Sequence, residues 1–114
     1  TTNVEEIFSD QQTHIIVELM GGEEPAGEYI RRALEAGKHV VTANKAVMAA
    51  SGADLFELAN RNNLHLQFEA SVGGGIPIIS SLRRDLLAND ISSIEAIING
   101  TTNFILSKLF SSRS

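Results

Sequence analysis

The feature that most constrains the fold is a strand-and-helix pattern that occurs three times at nearly equal spacing. Strand-like runs begin at His14, His39 and His65, with a period of 25 to 26 residues between successive starts. A period of this length accommodates a strand and a crossover helix, and consecutive units of this kind form parallel strands with right-handed crossovers. The sequence therefore predicts an α/β fold built on a parallel sheet with βα repeats.

Apolar periodicity and turn residues set the expected bounds of the elements. In chain order we expect a short helix or loop over 3–12, strands over 14–20, 39–43 and 65–70, helices over 26–36, 46–62 and 77–87, a fourth strand over 91–98 and a last helix over 104–110. Pro25 is expected at the first position of the helix that residues 26–36 continue. Glu95 interrupts the fourth strand, so one face of that strand is expected to contact water or another subunit. Residues 111–114 lack a core-forming pattern and are expected to fray.

Composition narrows the classes of protein that fit this chain. Its 43% hydrophobic content with only 5% aromatic residues favours an aliphatic core of the kind that buried parallel strands form. The formal net charge is −5 and the basic residues form no stripe, which argues against nucleic acid as a partner. Cysteine is absent and neither a membrane-spanning run nor a signal peptide is visible, so we expect a cytoplasmic protein without a membrane partner. The chain opens on Thr1 rather than Met, which leads us to expect a fragment.

Three charged residues fall at or just beyond the carboxyl ends of the first three predicted strands: Glu18, Lys45 and Glu69. Open parallel sheets bind ligands in the crevice beyond these ends. A lysine there can hydrogen-bond a ribose hydroxyl, a carboxylate or a carbonyl group, and it can take part in proton transfer. The alternative is a solvated loop lysine, with Asn44 only capping the next helix. The periodicity alone leaves these two interpretations equally open.

The three histidines fall at the opposite edge of the predicted sheet. They are either metal ligands or polar, solvent-facing residues at the points where the chain enters each strand. The second interpretation is favoured, because a metal at that edge would lie on the side away from the expected ligand crevice.

A triple glycine, residues 73–75, connects the third predicted strand to the next helix. It is either a flexible connection or a loop whose carbonyl groups, with the Glu69 carboxylate, surround a hard cation, since oxygen ligands suit alkali and alkaline-earth ions. Further on, Asn99, Gly100 and Thr101 match a glycosylation sequon by chance. Interpreted instead as a tight turn, they offer a hydroxyl and backbone N–H groups to a small polar substrate. In that turn we expect Gly100 to supply a backbone geometry that other residues resist, and a threonine to cap the last helix.

Four segments together resemble the homoserine dehydrogenase family in order and spacing, and they cover nearly the whole chain: 17–22 (VELMGG), 33–46 (ALEAGKHVVTANKA), 69–79 (EASVGGGIPII) and 99–104 (NGTTNF). The resemblance implies an NAD(P)-dependent oxidoreductase that interconverts L-homoserine and L-aspartate 4-semialdehyde on the pathway to threonine, methionine and isoleucine. It also implies a division of the chain. Residues 1–76 would be the C-terminal half of a Rossmann-like NAD(P)-binding domain, and residues 77–114 the beginning of an α+β catalytic and dimerisation domain.

The same resemblance implies roles at the sheet edge. Lys45 is the expected catalytic residue, placed where cofactor and substrate meet. Met20, Gly21, Asn44 and Lys45 itself are the expected contacts of the cofactor, NADP or NAD.

The resemblance also implies a substrate contact and a cation site. Gly100 and Thr101 resemble the turn that touches the amino-acid substrate. A sodium ion is expected at one carboxylate and three main-chain groups: Glu69, Val72, Gly74 and Ile76.

Several family features match nothing in this sequence: the GxGxxG turn, the acidic substrate-binding residues and a second catalytic lysine. We therefore expect the fragment to be inactive alone, and its parent protein to be a homodimer or higher oligomer. One alternative is another Rossmann oxidoreductase, although those usually show Glu-Lys-Pro in place of Asn44, Lys45 and Ala46. The alternative outside enzymes is a non-catalytic, truncated binding or assembly module whose strand edges pair with another chain.

Overall fold

A computed structural model of the 114-residue chain describes residues 1–97 and 99–111. The elements in chain order are α1 (Val4–Ser9), β1 (Ile15–Glu18), α2 (Ala26–Glu35), β2 (His39–Thr42), α3 (Lys45–Arg61), β3 (Leu66–Gln67), a 3₁₀ turn (Glu69–Ser71), α4 (Ile78–Ser80) with a following π-type turn (Ser81–Asp85), and α5 (Gly100–Ser111). Strands and helices alternate from residue 15 to residue 67, as the repeated pattern predicts. The α/β fold class is confirmed.

The three strands of the described residues form one parallel sheet in the order β1-β2-β3. Ile16 pairs with Val40 and Val40 pairs with Leu66, so these three side chains share one face of the sheet. Glu18 pairs with Thr42 on that same face, at the carboxyl end of the two strands. Because the strands are parallel, their carboxyl ends lie at one edge of the sheet.

The hydrophobic core lies between this sheet face and the helices α2 and α3. Its members are fully or almost fully buried: Ala26, Ile30, Ala33, Leu34, Val40, Val47, Leu55, Ala59 and Leu66. The helical spacing of apolar residues explains which helix faces they occupy. Gly37, with φ of 76°, reverses the chain after α2, and the N–H of Lys38 then donates to the carbonyl of Ala33 at 2.9 Å. That turn returns the chain to the sheet as β2.

The opposite sheet face has no helix against it in the described residues. Ile15 and Val17 are 57% and 59% exposed there. Beyond Leu66 no described hydrophobic residue is buried. No helix of the described residues combines the length and apolar character needed to cross a bilayer.

Two bounds in the first half of the chain differ from expectation. Pro25 occupies the cap position before Ala26 rather than the first helical position. The third strand is only Leu66–Gln67, because the chain leaves the sheet at Phe68 (ψ 18°) and enters the Glu69–Ser71 turn. The strand 65–70 was therefore expected four residues too long.

The second half of the chain departs further from the expected elements. The helix expected through residue 87 ends as the turn Ser81–Asp85, since Leu86 and Leu87 are exposed and have no core to pack against. No ladder forms over residues 91–97, where no neighbouring strand satisfies the backbone; the remainder of the expected strand, residue 98, lies outside the described residues. Residues 112–114, which were expected to fray, also lie outside them, whereas Ser111 ends α5.

The core assignment predicts a large effect at Leu55, which is fully buried. Leu55→Ala should lower the free energy of unfolding by about 2–5 kcal/mol, because it removes apolar contacts and leaves a cavity. Leu87→Ala is the matched control: its side chain is 75% exposed, so the change should stay within about 0.5 kcal/mol. Urea denaturation followed by circular dichroism measures both values. Equal effects of the two substitutions would contradict the assignment of Leu55 to the core.

Candidate functional site

The charged residues expected at the carboxyl edge of the sheet are there. Glu18 is the last residue of β1, Lys45 is the first residue of α3, and Glu69 begins the turn that follows β3. Each of the three βα connections thus contributes one charged group to the same edge. Each of these three connections between a strand and the following helix is held by its own set of hydrogen bonds, and these bonds determine which side chains lie close together.

Glu18 is a buried carboxylate, with only 5% of the residue exposed. Its Oε1 accepts a hydrogen bond from the N–H of Met20 at 2.6 Å, and its Oε2 accepts one from the hydroxyl of Thr42 at 2.5 Å. The Thr42 oxygen in turn accepts a hydrogen bond from the N–H of Asn44 at 2.9 Å. Glu18 therefore links the segment after β1 to the segment after β2.

Asn44 makes a second link between the same two segments. Its side-chain Nδ2 donates to the carbonyls of Met20 and Gly22, at 3.1 and 2.7 Å. Its Oδ1 accepts from the N–H of Val47 at 3.1 Å and so caps the start of α3. The sequence reading of Asn44 as a helix cap is confirmed, and the carboxamide also fastens the loop after β1 to that cap.

Lys45 follows the cap directly, and its side chain is exposed. It borders a groove of about 360 Å³ between α3 and the turn after β3. The lining is otherwise uncharged: Met48, Ala49, Gly52, Ala53, Phe56, Phe68, Ser71 and Val72. Ser71 is fixed in this wall because its hydroxyl donates to the carbonyl of Thr42 at 3.0 Å. Lys45 thus supplies the positive charge of a mostly apolar groove at the ligand edge of the sheet.

The expected cofactor contacts Met20 and Gly21 lie in the loop between β1 and α2, and both are exposed. The structure brings this loop to Asn44 through the carbonyl of Met20. Of the four residues expected at the cofactor, Met20 and Asn44 are therefore joined by a hydrogen bond. Lys45 follows Asn44 in the chain, and Gly21 follows Met20.

Glu69 holds the start of α4 rather than an open loop. Its Oε1 accepts from the N–H of Ile79 at 2.8 Å, and its Oε2 accepts from the N–H and the hydroxyl of Ser80, at 2.8 and 2.5 Å. These bonds, the Ser80 hydroxyl first, lower the pKa of the Glu69 carboxyl below its ordinary value and outweigh the opposing effect of partial burial. The carboxylate is thus kept anionic at the start of α4.

The loop between Glu69 and α4 depends on glycine at two positions. Gly73 and Gly74 have φ of 70° and 62°, a region that other residues seldom adopt. The carbonyl of Gly73 accepts from the N–H of Ile76 at 3.2 Å, and the carbonyl of Ile76 accepts from the N–H of Ile78 at 2.8 Å. The loop is therefore a hydrogen-bonded turn whose backbone geometry requires glycine at these two positions.

Gly100 and Thr101 do not form the expected tight turn. They are the first two residues of α5, and the cap is Asn99, whose Oδ1 accepts from the N–H of Thr102 at 2.9 Å. Gly100 has no positive φ, and a Cβ added to it would meet nothing within 4 Å. The expected special backbone geometry of Gly100 and the expected threonine cap are both wrong, because the asparagine carboxamide already satisfies the helix start. Neither residue lines the Lys45 groove.

Two of the histidines stack at the opposite edge of the sheet. The rings of His39 and His65 are 5.1 Å apart, and the N–H of His65 donates to Nδ1 of His39 at 3.0 Å. This bond joins the starts of β2 and β3, so the pair acts in the structure as a local connection between strands.

Sequence reasoning missed two residues of the site. Thr42 and Ser71 are buried, and each connects two segments at the carboxyl edge. Thr42 carried a signal, since it is a polar residue at a core-facing position of a strand. Ser71 carried none, because its partner is a main-chain carbonyl 29 residues earlier.

The lowered pKa of Glu69 predicts a stability that depends on acid. A carboxyl whose pKa is lower in the folded protein stabilises it above the unfolded pKa, and this contribution disappears as the pH falls through the folded pKa. Glu69→Gln should therefore be less stable than the unmodified protein near neutrality, and the difference should shrink in acid. Thermal melting across a pH series measures this. Glu57→Gln is the control, because Glu57 lies on the exposed face of α3. If the difference in melting temperature between Glu69→Gln and the unmodified protein did not change with pH, the lowered pKa assigned to Glu69 would be contradicted.

Comparison with known proteins gives one consistent family. The family model described as "Homoserine dehydrogenase, NAD binding domain" matches residues 1–69, and the model described as "Homoserine dehydrogenase" matches residues 77–114. A homoserine dehydrogenase of Synechocystis is 51% identical over 111 residues, which are 97% of this chain and 26% of that protein. One of Bacillus subtilis is 43% identical over 114 residues, 100% of this chain and 26% of its own. The chain thus spans about a quarter of the length of these relatives.

Solved structures agree with the sequence matches. A homoserine dehydrogenase from Thiobacillus denitrificans superposes with a TM-score of 0.91 at 50% identity, over 96% of this chain and 25% of that one. A hyperthermophilic archaeal homoserine dehydrogenase in complex with NADPH gives a TM-score of 0.84 at 37% identity, over 96% and 34% of the two chains. The parallel sheet, the lysine at its carboxyl edge and these matches lead to one conclusion: the chain belongs to the homoserine dehydrogenase family.

Proposed function

We propose that this chain is a segment of an active homoserine dehydrogenase, an NAD(P)-dependent oxidoreductase that interconverts L-homoserine and L-aspartate 4-semialdehyde. The observation that carries the proposal is the position of Lys45. It stands at the ligand edge of a parallel sheet, on a helix start that Asn44 ties to the loop after β1. The match of residues 1–69 to an NAD-binding domain supports a dinucleotide at this edge.

We divide the chain into the C-terminal half of the nucleotide-binding domain, residues 1–76, and the beginning of the catalytic and dimerisation domain, residues 77–114. The distribution of buried residues supports the division. All buried hydrophobic residues of the described part lie between Ala26 and Leu66. The two family models also meet in this region, since one ends at residue 69 and the other starts at residue 77.

The proposed cofactor, NADP or NAD, accepts or donates a hydride when it is bound. The residues of this chain hold it and the substrate in place. Met20 and Gly21 offer an exposed loop to the cofactor, and Asn44 fixes that loop from behind. Lys45 binds the substrate oxygen that changes between hydroxyl and carbonyl, and it either orients this oxygen or assists the transfer of its proton. An N–H donor with a positive charge suits both forms of that oxygen.

Gly100 and Thr101 are proposed to contact the amino-acid part of the substrate. Their position in the first turn of α5 supports this, because backbone N–H groups there have no partner within the helix and attract a carboxylate. The helix cap uses the N–H groups of Thr102 and Asn103, both of which donate to Asn99. The cap does not use the N–H groups of Gly100 and Thr101, and these are the groups proposed to bind the ligand.

A sodium ion is proposed at Glu69 and the main chain of Val72, Gly74 and Ile76. A carboxylate with backbone carbonyls is an all-oxygen set, which suits a hard cation. The anionic state of Glu69 supports the site. Oε2 already accepts two hydrogen bonds, so Oε1, which accepts the N–H of Ile79, is the oxygen proposed to contact the ion. The ion would hold the loop between β3 and α4 and would not take part in hydride transfer.

The whole protein is proposed to be a cytoplasmic homodimer or higher oligomer that acts on small molecules and binds neither nucleic acid nor membranes. The net charge of −5 and the absence of cysteine support this setting. Exposed apolar side chains support a subunit contact in the second half of the chain. Ile94 and Ile97 are 68% and 76% exposed, and Phe104 of α5 is 62% exposed.

Substitution of Lys45 tests the proposed function. In the longest open reading frame that contains these 114 residues, Lys45→Ala should lower kcat for homoserine-dependent NAD(P)H formation by about a hundredfold or more, because a general acid–base or orienting group is lost. Absorbance of the reduced cofactor measures the rate. Arg61→Ala is the control, since it removes an exposed positive charge from the last turn of the same helix. Unchanged turnover by Lys45→Ala would show that Lys45 is only a solvated helix-start residue.

A further inference from the structure

Glu18 is a buried carboxylate at the ligand edge of the sheet, and the roles described above leave it unused. Resting on the proposed homoserine dehydrogenase function, we propose that Glu18 is a positioning residue, which holds Lys45 in place for the reaction through Thr42 and Asn44. Three observations carry this proposal: the burial of Glu18, the direction of its two hydrogen bonds, and the path from those bonds to the start of α3.

Glu18 cannot act on the substrate directly. Only 5% of the residue is exposed, and each carboxylate oxygen already accepts a hydrogen bond from within the chain. A buried polar group of this kind is stable only when its bonds are made, so it fixes the groups that make them. Those groups are the N–H of Met20 and the hydroxyl of Thr42.

The bond to Thr42 reaches Lys45 in two further steps. The Thr42 oxygen accepts the N–H of Asn44, which sets the backbone immediately before Lys45. The Asn44 carboxamide then caps α3 at Val47, which holds the backbone of the first helical turn, including that of Lys45, in place. Because the reaction requires reacting groups to be placed within fractions of an ångström, a shift of this turn would lower the rate without removing any catalytic group.

The bond between Glu18 and Met20 also holds the loop after β1 in place relative to the start of α3. Met20 lies in the proposed cofactor loop, and its N–H is held by Glu18 while its carbonyl is held by Asn44. One carboxylate therefore fixes the distance between the loop proposed to contact the cofactor and the lysine proposed to contact the substrate. A glutamine has the same shape, but only one of its two terminal atoms can accept, so one of the two donors would lose its partner.

The first test compares Glu18→Gln with a matched control in the longest open reading frame that contains this segment. Glu18→Gln should lower kcat roughly tenfold to a hundredfold, the size expected when a catalytic group is displaced by about 1 Å. Glu35→Gln removes the same charge from an exposed position in the last turn of α2, at the far edge of the sheet, and should leave kcat unchanged. Equal kcat values for the two variants would overturn the proposal.

A double substitution separates positioning from general weakening of the fold. If Glu18 acts through Lys45, Glu18→Gln should cause little further loss of kcat in a protein that already carries Lys45→Ala, because sites that act as one unit are not additive. If Glu18→Gln lowered kcat by the same factor in the Lys45→Ala protein as in the unmodified protein, the proposal would be overturned.

A second pair of variants at Thr42 covers the case in which Glu18→Gln fails to fold. Thr42→Ser keeps the hydroxyl and removes the methyl group, whereas Thr42→Val keeps the shape and removes the hydroxyl. Positioning predicts near-normal kcat for Thr42→Ser and the tenfold to hundredfold loss for Thr42→Val. A packing role for this fully buried residue predicts the reverse order, which would overturn the proposal.

The unmodified protein shows which claim has failed. If it forms no NAD(P)H from homoserine, the proposed function is wrong and the positioning role falls with it. If it turns over normally and Glu18→Gln and Thr42→Val do the same, the positioning role alone is wrong.

Discussion

A buried hydrogen-bonded connection between the ends of β1 and β2 sets where the loop after β1 and the start of α3 lie. The Glu18 carboxylate accepts a hydrogen bond from the hydroxyl of Thr42, and the Thr42 oxygen accepts one from the backbone N–H of Asn44. The side-chain amide of Asn44 donates to the carbonyls of Met20 and Gly22. Such a closed set of bonds tolerates few alternative arrangements, because an unpaired polar group in the interior costs free energy. Within the described residues, no buried side-chain nitrogen or oxygen lacks a partner. The start of α3, where Lys45 lies, is therefore held in place by hydrogen bonds to residues at the ends of β1 and β2.

The first half of the fold follows closely from local sequence patterns. Strands at 39–42 and helices such as Ala26–Glu35 have apolar residues at the spacing that their own packing requires, so their bounds agree with expectation to within a residue or two. Their partners also lie nearby in the chain, in the adjacent βα units. Glu18, Lys45 and Glu69 were found for the same reason, since parallel strands bring their carboxyl ends to one edge.

The second half was predicted less well, for an equally physical reason. Residues 91–97 are rich in isoleucine, but strand propensity expresses itself only against a neighbouring strand, and none of the described elements offers one. At the site, the contacts of Glu69 with Ser80 and of Ser71 with Thr42 join segments that no local pattern relates. The capping residue of α5 could not be predicted from residue type, because Asn99 and the threonines after it are all good capping residues. The structure shows that Asn99 is the one used.

The hydrogen-bonded network of Glu18, Thr42 and Asn44 is proposed to place Lys45 against the reacting end of the substrate. The most direct measurement is a crystal structure of the full-length protein with NADPH and homoserine bound. The account predicts that Nζ of Lys45 lies within hydrogen-bond distance, about 3 Å, of the terminal oxygen of homoserine, with the Glu18, Thr42 and Asn44 bonds intact. A complex in which Lys45 extends into solvent while homoserine binds elsewhere would contradict the account.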